Sequence, residues 1–224
     1  MFNDINIARD ACDGDLGESV IQDLPKVKLK SIVYGENGFR NVTNNKGSIK
    51  TPADLKGIKI RTMENAIHMK AFQLLGASPT PMNFNELYTA LQQGTVDAQE
   101  NPIFLIYTSK FYEVQKYLTL TGHLYAPGII TMGNSYWESL PEDIQSIVVE
   151  GGKQFRDMQR GILDQQNVDY LQKLKDEGMQ VNELTAEEKA AFVEATKPIY
   201  DDVAKTIGQD LVDLAIAANQ KYAK

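Results

Sequence analysis

Two arginines stand where a strand-like run gives out, in Gly38-Phe39-Arg40 and in Lys59-Ile60-Arg61. A guanidinium placed there can fork onto a carboxylate through two charge-assisted hydrogen bonds, which is a way of holding an organic acid. On spacing alone, an arginine after a strand is more often a surface salt-bridge partner. Asn101, just before Pro102, can offer its amide to a ligand or simply hold a turn. Phe84, Tyr88 and Trp137 can wall a pocket, although aromatic residues at helix starts more often belong to a core.

The usual catalytic constellations are missing from the sequence. His68 and His123 have no metal-binding spacing and Cys12 is the single cysteine, so neither a metal site nor a disulfide is expected. There is no GxSxG elbow, Walker loop or GxGxxG turn; Gly14-Asp15-Leu16-Gly17 lacks the third glycine and the preceding strand. Asp10, Asp13, Asp15 and Glu18 miss the positions of a calcium loop and read as a solvated turn, and Asp201-Asp202 reads as helix surface. No catalytic residue and no cofactor is expected, and recognition remains. Acidic residues outnumber basic ones by 30 to 23, for a net charge of −7, which argues against a nucleic-acid or anionic-membrane partner. No stretch approaches the ~20 apolar residues of a membrane span. Met1 to Arg9 carries no secretory signal, which by itself means a cytoplasmic chain or one that is not the primary translation product.

The elements that must position these residues alternate in type. Lys28 to Tyr34 reads as a strand ended by the turn cluster Gly35-Glu36-Asn37-Gly38. Thr51 to Gly57 reads as one short helix with an N-cap, a proline at its first position and a glycine stop. A strand over Ile58 to Arg61 follows, then a helix over Glu64 to Leu75 stopped by Gly76. Asn85 opens a further helix closed by Gly94, before a strand over Thr95 to Gln99. Such alternation predicts an α/β fold with a partly parallel sheet, whose ligands sit beyond the carboxyl ends of strands, where Arg61 and Asn101 fall. From Pro141 a helical pattern runs to Glu177, with Gly151-Gly152 and Gly161 predicting a bend or two helices. Thr185-Ala186-Glu187-Glu188 is a capping box, Pro198 interrupts the helix it opens, and Gln209 to Tyr222 is an amphipathic helix.

Three longer runs then leave generic territory: Asp54 to Arg61 (DLKGIKIR), Leu75 to Met82 (LGASPTPM) and Glu86 to Pro102 (ELYTALQQGTVDAQENP). With Lys110 to Leu118 and Thr121-Gly122-His123, they resemble the solute-binding proteins of tripartite ATP-independent periplasmic (TRAP) transporters, the DctP family. The likeness is densest from Gly38 to Trp137. It implies a periplasmic binding protein-like α/β fold of two lobes with a long lobe-spanning helix, and an extracytoplasmic place. It also implies a role in transport: capture of a small organic acid, a C4-dicarboxylate or sugar acid, and its delivery to the membrane permease subunits. By the same resemblance Arg61 makes the main salt bridge to the ligand carboxylate, Arg40 and Asn101 are further contacts, and Phe84 lines the pocket. Asn65 and His123 lie on motif segments near the ligand. Ala98 departs from the glycine usual at its position.

Laid on this chain, the resemblance assigns 1–38 and 127–166 to lobe 1, 39–126 and 167–190 to lobe 2, and 191–224 to C-terminal helices. Family members are considerably longer, so lobe 1 is expected to be incomplete at its N-terminal side, with an exposed apolar sheet face or edge. Two rivals stay open. One is an organic-acid enzyme with His123 as general base; the other is an orphan or truncated ligand-binding domain without a transport role.

Overall fold

The computed structural model describes residues 2–221. Along the chain, α1 (Ile5–Asp13) and α2 (Asp15–Ile21) precede β1 (Leu29–Asn44); after a single 3₁₀ turn at Pro52–Leu55 come β2 (Lys59–Thr62), α3 (Ala66–Leu74) and β3 (Ser78–Pro81). Then follow α4 (Phe84–Gln92), β4 (Ala98–Pro102), α5 (Ile103–Thr108), β5 (Tyr117–Gly133) and α6 (Asn134–Ser139). The chain continues as α7 (Glu142–Asp176), β6 (Gln180–Glu183), α8 (Ala186–Thr196), α9 (Ile199–Ile207) and α10 (Gln209–Lys221). Tyr222, expected to close the last helix, lies outside the described residues.

The elements form a mixed α/β fold around a six-stranded sheet of order β3-β2-β4-β1-β5-β6. β2 is parallel to β3 and β4, β6 is parallel to β5, and β1 is antiparallel to β4. The chain divides into two compact units: one holds the chain up to Gly38, Tyr125–Gln166 and the chain from Ile207 on, the other Phe39–Leu124 and Asn167–Thr206. β1, β5 and α7 each contribute residues to both.

In the second unit, alternation along the strands sends Val42, Ile60 and Ala98 into a core with Ile49, Leu55, Phe72 and Phe192. A separate cluster gathers Leu87, Leu91, Ile106, Phe111, Leu118 and Leu174 from α4, α5, the 3₁₀ turn Phe111–Glu113, β5 and α7. The expected helix starts and stops are present. Asn65 Oδ1 accepts the amides of Ile67 and His68 at 2.9 and 3.1 Å, and Thr185 and Glu188 exchange their capping-box bonds at 3.2 and 2.9 Å. α8 ends and α9 begins around Pro198.

Three expectations are corrected. The turn cluster Gly35 to Gly38 does not end the first strand: β1 runs straight through it for 16 residues, with Gly38 at φ +93°, a conformation only glycine enters cheaply. The strand is kept because Glu36, at its centre, is anchored by Arg9 (Nε to Oε2, 2.7 Å) and by the Tyr125 hydroxyl at 3.0 Å. The segment Thr51 to Gly57 forms only a 3₁₀ turn, fixed by the Asp54 carboxylate accepting the amides of Lys50 and Thr51. Those hydrogen bonds also hold the Asp54 carboxyl below its ordinary pKa. Finally, α7 is one helix of 35 residues, unbroken at its glycines. Gly152 is there for close approach, since a Cβ would stand 2.8 Å from Ile32 Cγ2.

The first unit is tied together by charge. Arg9 also reaches Asp164 at 2.7 Å, Arg160 grips Asp13 at 2.6 Å, and Tyr34 donates to the Gly17 carbonyl at 2.9 Å.

Candidate functional site

Arg61 is the third residue of β2, opposite Thr80 of β3 and Gln99 of β4. Its side chain is shut in: the residue is 3% exposed. Nε and Nη2 both donate to the Met82 carbonyl, at 2.9 and 2.7 Å, and the guanidinium lies 5.9 Å from the centre of the Phe84 ring. Phe84 opens α4, is 40% exposed and leans edge-on against Phe111. Among the described residues no carboxylate pairs with Arg61. Burial accordingly lowers its pKa, with Glu100 countering and Arg40 reinforcing from a distance; an arginine remains charged regardless. A desolvated guanidinium held by one carbonyl and a ring face keeps N–H groups to spare for a further acceptor.

Arg40 is differently placed. The β1–β4 register sets Arg40 against Pro102 and Asn41 against Asn101. Arg40 Nε and Nη2 clasp the Glu100 carboxylate at 2.5 and 2.8 Å, and Nη2 also reaches the Glu100 carbonyl at 2.6 Å and Asn101 Oδ1 at 3.0 Å. His123 Nε2 stands 3.1 Å from the same carboxylate, while its Nδ1 is 2.7 Å from the Thr121 hydroxyl and its ring meets Phe72 edge-on. Burial alone would raise the Glu100 carboxyl. The hydrogen bonds of His123 and Arg40 and their charge overcome it and hold the pKa at about 2. His68 is half-buried nearby, and desolvation lowers its pKa from the ordinary value.

The expected residues thus fall into two groups and one outlier. Arg61 and Phe84 make one contact; Arg40 and His123 meet at the Glu100 carboxylate, and Asn101 joins them by accepting from Arg40. Asn101 Nδ2 donates to Gln99 Oε1 at 2.6 Å, and Gln99 neighbours Arg61 across the β2–β4 register, so the groups adjoin. Asn65 serves as the cap of α3. Glu100 and the Met82 carbonyl were not singled out by the sequence. Register alone reveals Glu100, since an acid in a buried strand announces nothing until its antiparallel partner is known. Among the described residues no group of His, Cys, Asp and Glu could hold a metal ion, and no helix is long and apolar enough to cross a membrane.

This two-unit α/β chain buries an arginine that, among the described residues, has no carboxylate partner, near the end of a strand. It belongs to bacterial extracellular solute-binding protein family 7, DctP, whose model matches residues 1–206. The chain is 37% identical over 195 residues to the 2,3-diketo-L-gulonate-binding periplasmic protein of Escherichia coli, covering 87% of this chain and 59% of that one. It is 37% identical to the sugar acid binding protein of Advenella mimigardefordensis in complex with galactonate, with a TM-score of 0.92 over 98% of this chain and 71% of that. It is 38% identical to a TRAP periplasmic solute binding protein of Polaromonas bound to D-erythronate, with a TM-score of 0.91 over 100% of this chain and 72% of that. The two-lobe α/β fold of the TRAP binding proteins is therefore the fold of this chain. The chain spans 62, 56 and 59% of the length of three curated relatives.

Proposed function

We propose that this chain takes part in capturing a small hydroxylated monocarboxylate, a sugar acid, outside the cytoplasm for delivery to the membrane permease of a TRAP transporter. The observation that carries the reading is Arg61, buried and charged with no carboxylate of its own. A ligand carboxylate completes it with charge-assisted hydrogen bonds in a desolvated setting, where such a pair is strong. Phe84 walls the guanidinium from one side. Arg40 is already neutralised by Glu100, so it offers its remaining Nη1 as a neutral-pair donor and does not supply a second carboxylate clamp. That favours one carboxylate and several hydroxyls over a C4-dicarboxylate. Asn101, with a second amide hydrogen to give, and Gln99 suit those hydroxyls; Asn65 and His123 stand at the margin of the site. The sugar acids held by the Advenella and Polaromonas proteins support the same choice.

Calorimetry tests it with galactonate, erythronate and succinate. The expected result is binding of a sugar acid in preference to succinate, weakened about 100-fold or more in Arg61→Ala and only partly restored in Arg61→Lys, which keeps charge but loses the fork. Unchanged affinity in Arg61→Ala sinks the assignment of the carboxylate to this residue. Succinate binding more tightly than either sugar acid sinks the ligand class.

A further inference from the structure

Asn101 belongs to a line of buried polar side chains that lies wholly within the second unit. Arg40 Nη2 donates to Asn101 Oδ1 at 3.0 Å, and Asn101 Nδ2 donates to Gln99 Oε1 at 2.6 Å. Gln99 Nε2 in turn donates to the Thr43 hydroxyl at 2.9 Å, and that hydroxyl to Gln115 Oε1 at 3.0 Å. Gln115 Nε2 ends the line on the carbonyls of Val114 and Asp97, at 3.1 and 3.4 Å. The sheet builds it: Gln99 and Asn101, two apart, share one face of β4, and the antiparallel register sets Thr43 of β1 opposite Gln99. None of the five residues is more than 4% exposed.

The direction of the line is forced from both ends, because a guanidinium only donates and a backbone carbonyl only accepts. Gln115 spends Nε2 on two carbonyls, so its oxygen faces Thr43, and the Thr43 hydroxyl gives that oxygen its one hydrogen. Gln99 must then donate to Thr43 and turn its own oxygen to Asn101, which must give Nδ2 and keep Oδ1 for Arg40. Reversing any one amide sets donor against donor and acceptor against acceptor, a heavy cost in a setting without water. We propose that Thr43 and Gln115 are positioning residues for the ligand site: they lock the Asn101 amide so that it meets the ligand as an N–H donor. The Nδ2 hydrogen that Gln99 does not hold has no acceptor among the described residues and is the one offered. The ligand atom it meets is an acceptor oxygen, of a carboxylate, ketone or hydroxyl. This deepens the reading of Asn101 as a ligand contact and rests on it.

NMR spectra of the side-chain amides test the line itself, and calorimetry with galactonate tests its effect on binding. Thr43→Val removes the hydroxyl and keeps the shape. In the ligand-free chain it is expected to move the Asn101 Nδ2 signals, whereas Thr43→Ser leaves them near their wild-type positions; signals unmoved in Thr43→Val overturn the line. Galactonate added to the wild type is expected to shift the Nδ2 hydrogen that Gln99 does not hold, and no shift at full occupancy overturns the donor role. In calorimetry Thr43→Val is expected to weaken galactonate about 3- to 10-fold, the worth of one hydrogen bond, with Thr43→Ser close to wild type. In an Asn101→Ala background the same Thr43→Val should cost nothing further, because it acts only through Asn101. A full additional loss there overturns the positioning role. Gln115→Met carries the same expectations and serves if Thr43→Val fails to fold. Galactonate binding unchanged in Asn101→Ala overturns the reading of the site, and the ligand-free spectra tell that failure apart from a failure of the line.

Discussion

Arg40 and Glu100 form a buried two-point ion pair, with side chains 5% and 1% exposed and Nε 2.5 Å from Oε2. Removing one member of such a pair strands the other in a setting without water. Glu100→Gln is expected to cost about 3–5 kcal/mol in urea or thermal unfolding. A loss within ~0.5 kcal/mol would show the pair to be balanced by its own desolvation.

The same pair gives a pH dependence. Glu100 is depressed from 4.5 to about 2 in the folded chain, so the unfolded chain binds the proton first as pH falls. Its contribution to stability is complete above about pH 4.5 and is lost progressively towards pH 2, by about 3 kcal/mol in all. Acid titration of Tm is expected to show this loss in the wild type and a smaller one in Glu100→Gln.

Arg61 is expected to behave in the opposite sense to Arg40. Arg61→Ala deletes a desolvated cation with no internal counter-charge, so the ligand-free chain should keep its stability to within ~1 kcal/mol. Arg40→Ala should be strongly destabilising. Melting curves of the two variants, without and with a sugar acid, check the contrast, since the ligand should raise Tm only where Arg61 is intact.

Neighbouring glycines on α7 should respond with opposite signs. Gly152→Ala drives a methyl to within 2.8 Å of Ile32 and is expected to cost ~1–3 kcal/mol. Gly151→Ala has open space and should gain up to ~1 kcal/mol from helix propensity. Urea titrations of both variants decide.

Cys12 should be inert in the native chain. It is 8% exposed, and burial, reinforced by Asp13, pushes its thiol up to about 11. At pH 8 roughly one molecule in a thousand carries the thiolate. Reaction with a thiol-specific disulfide reagent is expected to be slow until urea unfolds the chain.

Local signals were legible wherever a local rule governs. Thr185 and Glu188 cap the helix they were read to cap, and Gly57, Gly76 and Gly94 take positive φ at their stops, whereas Asn65, placed near a ligand by resemblance, caps α3. Arg61 and Asn101 do fall at strand ends. What escaped depends on partners distant in sequence. Gly35 to Gly38 carries every turn signal, yet stays extended because Arg9 and Tyr125 hold Glu36 in place. Gly152 reads as a weak point in a helix until Ile32 is seen beside it. Glu100 gives no sign of its role until the register sets β4 against β1.

The chain passes between the two units after Gly38, Leu124, Gln166 and Thr206. No single cut therefore frees either unit whole, and a short truncation at either end takes residues from the first unit. During synthesis the second unit lacks part of itself until Thr206 has left the ribosome, and the first completes only after that. Within these residues the usual order, in which an N-terminal domain folds while the rest is still being made, does not hold, because neither unit is whole before Thr206.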